Sequence, residues 1–473
     1  MNPLEISSSE FRGLSERVTR LVAQYLDNLD KQTIAPAVTG EQSLRRFDAP
    51  VPELGIGQAI LRDLSEIINS SRAQNGRFFG YVLGSGEPVA AVADLMASVL
   101  NQNVTAWRSS PAAVMIEKTA VRWLAEAIGC PGFHGHLTGG GSSANLMGMA
   151  MAREAGAPAN ESGNGAKGTV YAADQIHMSI PKSIALLGIG RDHMHLIPTD
   201  SSMRMIPQEL DRRIVEDKAA RKIPLAVVAS AGTVNTGAID PLRQIAEIAR
   251  RHGAWFHIDG AYGALAAIAD PTKFDGMALA DSISLDPHKW LYQPLDCGCL
   301  LYRSPQAAQK AFSHTGEYAR SLSHDPIEGF AFFEESVELS RRFRALKLWF
   351  SLRYHGLAAF RESIRKDLAQ ARRLADAVGN ESRLELLAPV ELSAVCFRYK
   401  TKDSGQELNR FNTALLKRIL ERGRIYLSNA SLRGNFCLRA CIVNHRTKDC
   451  DIDAVVPEVL ETAGELERAP SHP

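Results

Sequence analysis

The sequence predicts an α/β protein with a mainly parallel central sheet, preceded by a helical segment and followed by a small α+β domain. Three observations carry that expectation. Over residues 76–355, short apolar runs alternate with stretches of helical period, the pattern of strands joined by crossover helices. Over residues 1–75, apolar residues recur at three- and four-residue steps instead. Over residues 356–473, a helical period gives way to short strands around another helix.

In the first segment Phe11, Leu14, Val18, Leu21, Val22 and Tyr25 line one helix face, and Ile60, Leu64, Ile67 and Ile68 line a second. The Pro- and Gly-containing stretch 36–57 separates them. A segment with no core of its own must pack these faces on the rest of the chain or on a dimer partner. In the middle region Gly168–Ala172, Pro224–Ala229, Ala254–Ile258, Ser282–Leu285 and Gly298–Tyr302 read as buried strands, with helices such as Gln208–Arg221 and Leu242–His252 between them. In the last region a helix over Leu357–Val378 precedes strands at Leu392–Tyr399 and Asn435–Ile442, which flank a helix over Gln406–Arg422.

Composition excludes several function classes. With 473 residues, 45% apolar and 23% charged, the chain is globular and long enough to bury a core without disulfide or metal staples. A net charge of 54 − 53 = +1 argues against a nucleic-acid binder. Seven cysteines without a C-x-x-C pair signal neither a zinc ribbon nor a thioredoxin motif, and suit a reducing, cytoplasmic compartment. The N-terminus lacks a signal-peptide pattern. The most apolar stretches, Val89–Leu100 and Gly263–Ala269, fall short of the ~20 residues that span a bilayer, so a soluble protein without a membrane partner is expected.

Chemistry concentrates at four places where an apolar run ends, the edge of a parallel sheet at which ligands gather. Thr138-Gly139-Gly140-Gly141-Ser142-Ser143-Ala144-Asn145 opens a helix; its glycines allow close backbone approach, and the helix N-terminus offers free N–H groups to a phosphate. Asp259 follows the apolar Phe256-His257-Ile258, where a carboxylate calls for a cationic partner. Lys289, in Asp286-Pro287-His288-Lys289-Trp290, follows another such run; desolvation suits an amine to imine formation. His177 stands at a fourth junction. A phosphate cradle, a buried acid and a buried lysine in that order meet the needs of pyridoxal 5′-phosphate (PLP): the lysine holds its aldehyde as an imine, the acid keeps its pyridine nitrogen protonated, and an imidazole covers the ring. The competing pairs His134/His136 and His193/His195 lack the helical spacing and accompanying carboxylate of a zinc enzyme, so no metal is expected.

Together with Ala106–Glu117, Asp174–His177, His257–Tyr262, Asp286–Trp290, Ser340–Phe350 and Leu438–Thr447, these motifs make a co-linear set spanning nearly the whole chain. The sequence resembles the group II PLP-dependent amino acid decarboxylases, which include the aromatic-amino-acid, glutamate and 2,4-diaminobutyrate enzymes. The resemblance implies PLP fold-type I (aspartate aminotransferase-like), with an N-terminal helical dimerisation segment. It implies a homodimer with active sites at the subunit interface and decarboxylation of an L-amino acid to its amine and CO2. Lys289 would bind the cofactor aldehyde, Asp259 would pair with the pyridinium, and His177 would stack on the ring opposite Ala261. Gly140, Gly141, Ser142 and His288 would cradle the phosphate, and Thr233 or Asn235 would reach the phenolic oxygen, since Val234 replaces a usual threonine. Tyr81, Trp107 and Arg108 would line the substrate side-chain pocket.

Two departures from the family pattern stand out. Asp286 replaces a common asparagine beside the phosphate, where a carboxylate would repel it. The family's loop tyrosine, which protonates the carbon left after CO2 departs, is aligned by counting back from Arg341 with Phe332, or after a small shift with Phe330 or Phe333, none of which has a hydroxyl. Either another donor (Tyr318, His324, His177 or water) serves decarboxylation, or the reaction turns to O2-dependent aldehyde formation.

Overall fold

The computed structural model describes residues 2–36, 38–163, 168–314, 325–402 and 404–468. Its centre is a seven-stranded sheet of β1 (His134–Thr138), β2 (Gly168–Ala173), β3 (Met194–Ile197), β4 (Ile223–Ser230), β5 (Trp255–Asp259), β6 (Ser282–Leu285) and β7 (Gly298–Tyr302). The spatial order is β1-β7-β6-β5-β4-β2-β3. β3, β2, β4, β5 and β6 pair in parallel; β7 is antiparallel to both its neighbours, so β1 runs in the common direction again. Strands covered on both faces need apolar side chains at successive positions, and β2, β6 and β7 are buried along their whole length.

Helices cover both faces. Helix Leu242–His252 buries Leu242, Ile245, Ala246, Ile248 and Ala249 and ends at Gly253 in the left-handed conformation (φ +71°). Helix Pro111–Ala127 buries Val114, Val121 and Leu124 in the same core as Val227, Ile258 and Ile283. A second core lies under an antiparallel sheet of β8 (Leu384–Leu386), β9 (Ala394–Tyr399), β10 (Ser428–Leu432) and β11 (Asn435–Cys441), ordered β10-β11-β9-β8 and packed on helices Gly405–Arg422 and Val455–Arg468. Gly356 (φ +76°, ψ 151°) breaks the long helix Ala345–Gly379 into two pieces; the first packs on the large core, and the second runs from that core (Phe360, Ile364, Leu368) to the second one (Ala371, Leu374, Val378).

The amino-terminal segment holds helices Ser8–Asn28, Gly40–Phe47 and Leu61–Ser70. The middle helix falls within the stretch expected to be a separator; Thr39 and Gln42 form a capping box that starts it despite the nearby prolines. None of the three helices has a buried residue.

Candidate active site

Five connections leaving the same edge of the large sheet meet around a cavity of about 300 Å³. They are Gly139–Ser143 after β1, His177 after β2, Ser230–Val234 at the end of β4, Asp259–Tyr262 at the end of β5, and Asp286–Lys289 after β6. Register fixes the floor: Ser230, Asp259 and Ser284 are paired neighbours across β4, β5 and β6.

Gly140 (φ +141°) starts the helix Gly141–Gly156, and a side chain on Gly141 would fall 2.6 Å from Ala261 Cβ and 3.0 Å from Asp286 Oδ2. Only glycine lets the helix N-terminus come this close to the opposing loops. Lys289 sits in the short turn Pro287–Trp290, held down by fully buried Trp290, whose ring stacks on Tyr262 at 6.0 Å. Its Nζ lies 2.9 Å from Asp286 Oδ2, with His288 Nε2 at 3.5 Å from the same oxygen. His288 Nδ1 lies 2.8 Å from the Cys297 carbonyl, and burial holds the imidazole pKa below its ordinary value.

Asp259 accepts from Asn145 Nδ2 (3.0 Å), Ser284 Oγ (3.2 Å) and the Ala261 amide (3.3 Å). All three donors are neutral, so the carboxylate's charge remains available to a cation in the cavity. The donor directions around it are fixed from two ends. Asp259 only accepts, so Asn145 turns its NH₂ toward it and its carbonyl toward His257 Nε2 (2.9 Å), which must carry the proton. His257 Nδ1 then accepts from Ser282 Oγ (2.8 Å), whose oxygen takes the indole N–H of Trp255 (2.8 Å). Burial drops the His257 pKa to about 4 and keeps the ring neutral.

The same amide nitrogen of Asn145 donates to Ser179 Oγ (2.8 Å), which lies 2.8 Å from His177 Nδ1. The Ser179 amide also donates to His177 Nδ1 (3.2 Å), so neutral His177 carries its proton on Nε2. Burial, foremost, lowers the His177 pKa; Lys289 adds to the lowering and Asp259 opposes it. Asn145 ends the glycine motif read from the sequence but had no role assigned there, and Ser179 was not singled out. Their one signal is position, one helical turn past the glycines and two residues past His177.

The residues gathered fit PLP: a glycine-lined helix N-terminus for phosphate, a lysine amine, a carboxylate with spare charge, and a flat imidazole. Gly140, Gly141, Ser142, His177, Thr233, Asp259, Ala261, His288 and Lys289 all line the cavity, as expected. Thr233 Oγ1 lies 2.9 Å from Thr236 Oγ1 and accepts the Ala238 amide, while Asn235 donates its side chain to Gln175 instead.

Four expected residues stand outside it. Phe332 is fully buried, its amide bonded to the Thr105 carbonyl at 2.8 Å, its ring edge-on to Phe330 and 4.2 Å from the Arg341 guanidinium. Arg341 is itself buried against Glu117. Counting back along the sequence therefore reached a core residue, not the tip of a loop; Tyr318 and His324 lie outside the described residues. Tyr81 is half exposed, with its hydroxyl 3.0 Å from that of Tyr426. Trp107 and Arg108 form a turn paired to Phe330, with Arg108 exposed on the single chain. His134 is exposed at the start of β1 and His136 is buried further along the same face, and His195 pairs with Asp217 at 2.8 Å.

Fold and site together define a PLP-dependent enzyme of fold-type I. Residues 41–400 match the pyridoxal-dependent decarboxylase conserved domain, and the chain belongs to that family. It is 33% identical to an aromatic-L-amino-acid decarboxylase of Bacillus atrophaeus over 98% of this chain and 97% of that one. It is 31% identical to a phenylacetaldehyde synthase of Petunia hybrida over 92% and 91%. The crystal structure of Catharanthus roseus tryptophan decarboxylase in complex with L-tryptophan superposes with a TM-score of 0.90 at 29% identity, covering 98% of this chain and 100% of that one. The chain is thus a PLP-dependent decarboxylase homologue, a carboxy-lyase of amino acid metabolism, with aldehyde synthases among its relatives.

Proposed function

We propose that this enzyme decarboxylates an aromatic L-amino acid to the corresponding amine and CO2. The aromatic substrate rests on the relatives, which include aromatic-amino-acid and tryptophan decarboxylases. The product rests on the burial of Phe332. A phenylalanine packed in the core under Arg341 is poorly placed to stand in for a proton donor at the reaction centre, which supports the amine over the aldehyde. Tyr318 is then the tyrosine of this region that supplies the proton.

Bound PLP supplies the electron sink that makes loss of CO2 feasible. Lys289 would anchor the cofactor through its amine and would yield it to the amine of the substrate. Asp259, steadied by three neutral donors, holds a positive charge on the ring nitrogen, and neutral His177 offers Nε2–H to the cavity. The functional unit is a homodimer: the first helix buries none of its residues, and Val92, Leu95, Met96 and Val99 of helix Pro88–Leu100 are exposed on the single chain. Six buried, unbridged thiols suit a cytoplasmic location.

The test is product analysis on PLP-loaded enzyme with L-tryptophan, L-tyrosine, L-phenylalanine, L-glutamate and L-lysine beside an oxygen electrode. Amine and CO2 without oxygen uptake are expected. Aldehyde, ammonia and peroxide with matching oxygen loss would overturn the product, and turnover confined to acidic or basic amino acids would overturn the substrate class.

A further inference from the structure

The carboxylate of Asp286 is the anomaly of the cofactor cavity. It is 3% exposed, and its Oδ1 has no hydrogen-bond partner. Its Oδ2 takes the Lys289 ammonium at 2.9 Å and lies 3.5 Å from His288 Nε2. That same oxygen faces the first residue of helix Gly141–Gly156, 3.0 Å from where a Gly141 side chain would stand. The helix N-terminus and His288 are the groups expected to meet a phosphate dianion, and Asp286 already lies against both.

Cofactor capture therefore places a second anion beside a buried one and removes the first one's partner. When the Lys289 nitrogen bonds to the cofactor's aldehyde carbon, one water leaves, and the free ammonium that pairs with Asp286 in this structure is consumed. The remaining titratable neighbours do not replace it. His288, on the same turn, is kept below its ordinary pKa by burial. His177, after β2, is likewise lowered. Cys297 and Cys299, from β7 and the residues before it, are buried thiols raised well out of the ionising range. A buried carboxylate next to a phosphate, with no cation, is relieved most directly by a proton.

We infer that Asp286 couples cofactor capture to uptake of one proton, shared between its carboxylate and a phosphate oxygen. The protonated acid then donates to the phosphate as an asparagine amide would. The dianion enters without leaving two adjacent negative charges in a buried site. Affinity for PLP accordingly falls as pH rises, by up to tenfold per pH unit for one linked proton.

Calorimetric titration of the apoenzyme in buffers of different ionisation enthalpy, at pH 8.5, counts that proton. Pyridoxal, which has the aldehyde but no phosphate, is the reference, because condensation with Lys289 is common to both probes. The wild type should take up about one proton more with PLP than with pyridoxal, and Asp286→Asn should take up none in excess. Between pH 7.5 and 8.5, PLP affinity read from tryptophan fluorescence should fall about tenfold more in the wild type than in Asp286→Asn. Equal proton counts, or equal pH slopes, would overturn the inference. Asp286→Ser is the second variant should the amide disturb folding, and retained pyridoxal binding shows that either variant keeps its site. The readout is cofactor binding, so it stands or falls independently of the substrate and product proposed above.

Discussion

Asn145 donates its side-chain amide to the Asp259 carboxylate at 3.0 Å, and through Ser179 that same nitrogen reaches the ring of His177. The acid expected under the cofactor and the imidazole expected over it thus hang from one amide. Asn145→Leu should weaken PLP binding about tenfold or more, the range for losing a hydrogen bond to a charged group at roughly 1.5–3 kcal/mol. Equilibrium titration of the apoenzyme checks it; unchanged binding would show that Ser284 and Ala261 suffice to hold Asp259.

His177 is held neutral by burial, with its proton on the nitrogen facing the cavity. Because its pKa lies below the ordinary histidine value, the neutral form persists as pH drops through that value. kcat should therefore stay level from pH 8 to about 6.5. His177→Gln should lower kcat by roughly 10²–10⁴ while PLP remains bound, read from the cofactor's absorbance together with turnover. Loss of the cofactor instead would assign His177 to binding alone.

Phe332 tests where the reaction's fate is decided. Phe332→Tyr would drive a hydroxyl into a packed core, at a cost of about 1–3 kcal/mol, and should leave the ratio of amine to aldehyde unaltered. Phe332→Ala should cost about 3–5 kcal/mol in a urea unfolding series. A change of product in the tyrosine variant would restore Phe332 as the switch.

Asp367 carries the clearest pH signature outside the cavity. It is fully buried, accepts from Tyr292 Oη (2.8 Å) and the Asn444 amide (3.1 Å), and burial pushes its pKa up to about 7. Between the ordinary carboxyl value and 7 the folded protein holds a proton that the unfolded chain has lost. Stability from this group therefore falls as pH rises through that window, by up to about 1.4 kcal/mol per pH unit. Asp367→Asn should remove the fall, leaving the variant more stable than wild type at pH 8 but not at pH 5. Parallel urea midpoints at the two pH values would sink the prediction.

Much of this architecture was legible in the sequence because strands buried on both faces write themselves as apolar runs: β6 and β7 begin and end at the residues expected. β1 was invisible because His134-Gly135-His136 shows neither alternation nor an apolar run. Only pairing with β7 makes it a strand. Lys289, Asp259, His177 and the glycines could be read because their chemistry demands particular residue types at strand ends. Asn145 and Ser179 could not: their roles depend on a three-dimensional meeting of the Gly141–Gly156 helix with His257 and Asp259. Phe332 was misplaced for the opposite reason. Counting along a chain cannot distinguish a loop tip from the short antiparallel ribbon that Ala331 makes with Ala106.

The strand order also sets when the cofactor site comes into being during synthesis. β7 lies between β1 and β6, and Gly298 at its start packs so tightly on the phosphate loop that a side chain there would fall 2.4 Å from Gly140 Cα. The glycine loop and the lysine turn, made about 150 residues apart, are therefore clasped only once the strand after the lysine has threaded between theirs. A nascent chain halted before β7 emerges carries every residue of the phosphate loop and the lysine turn but not the clasp. Acquisition of the cofactor's yellow colour would thus report completion of the sheet.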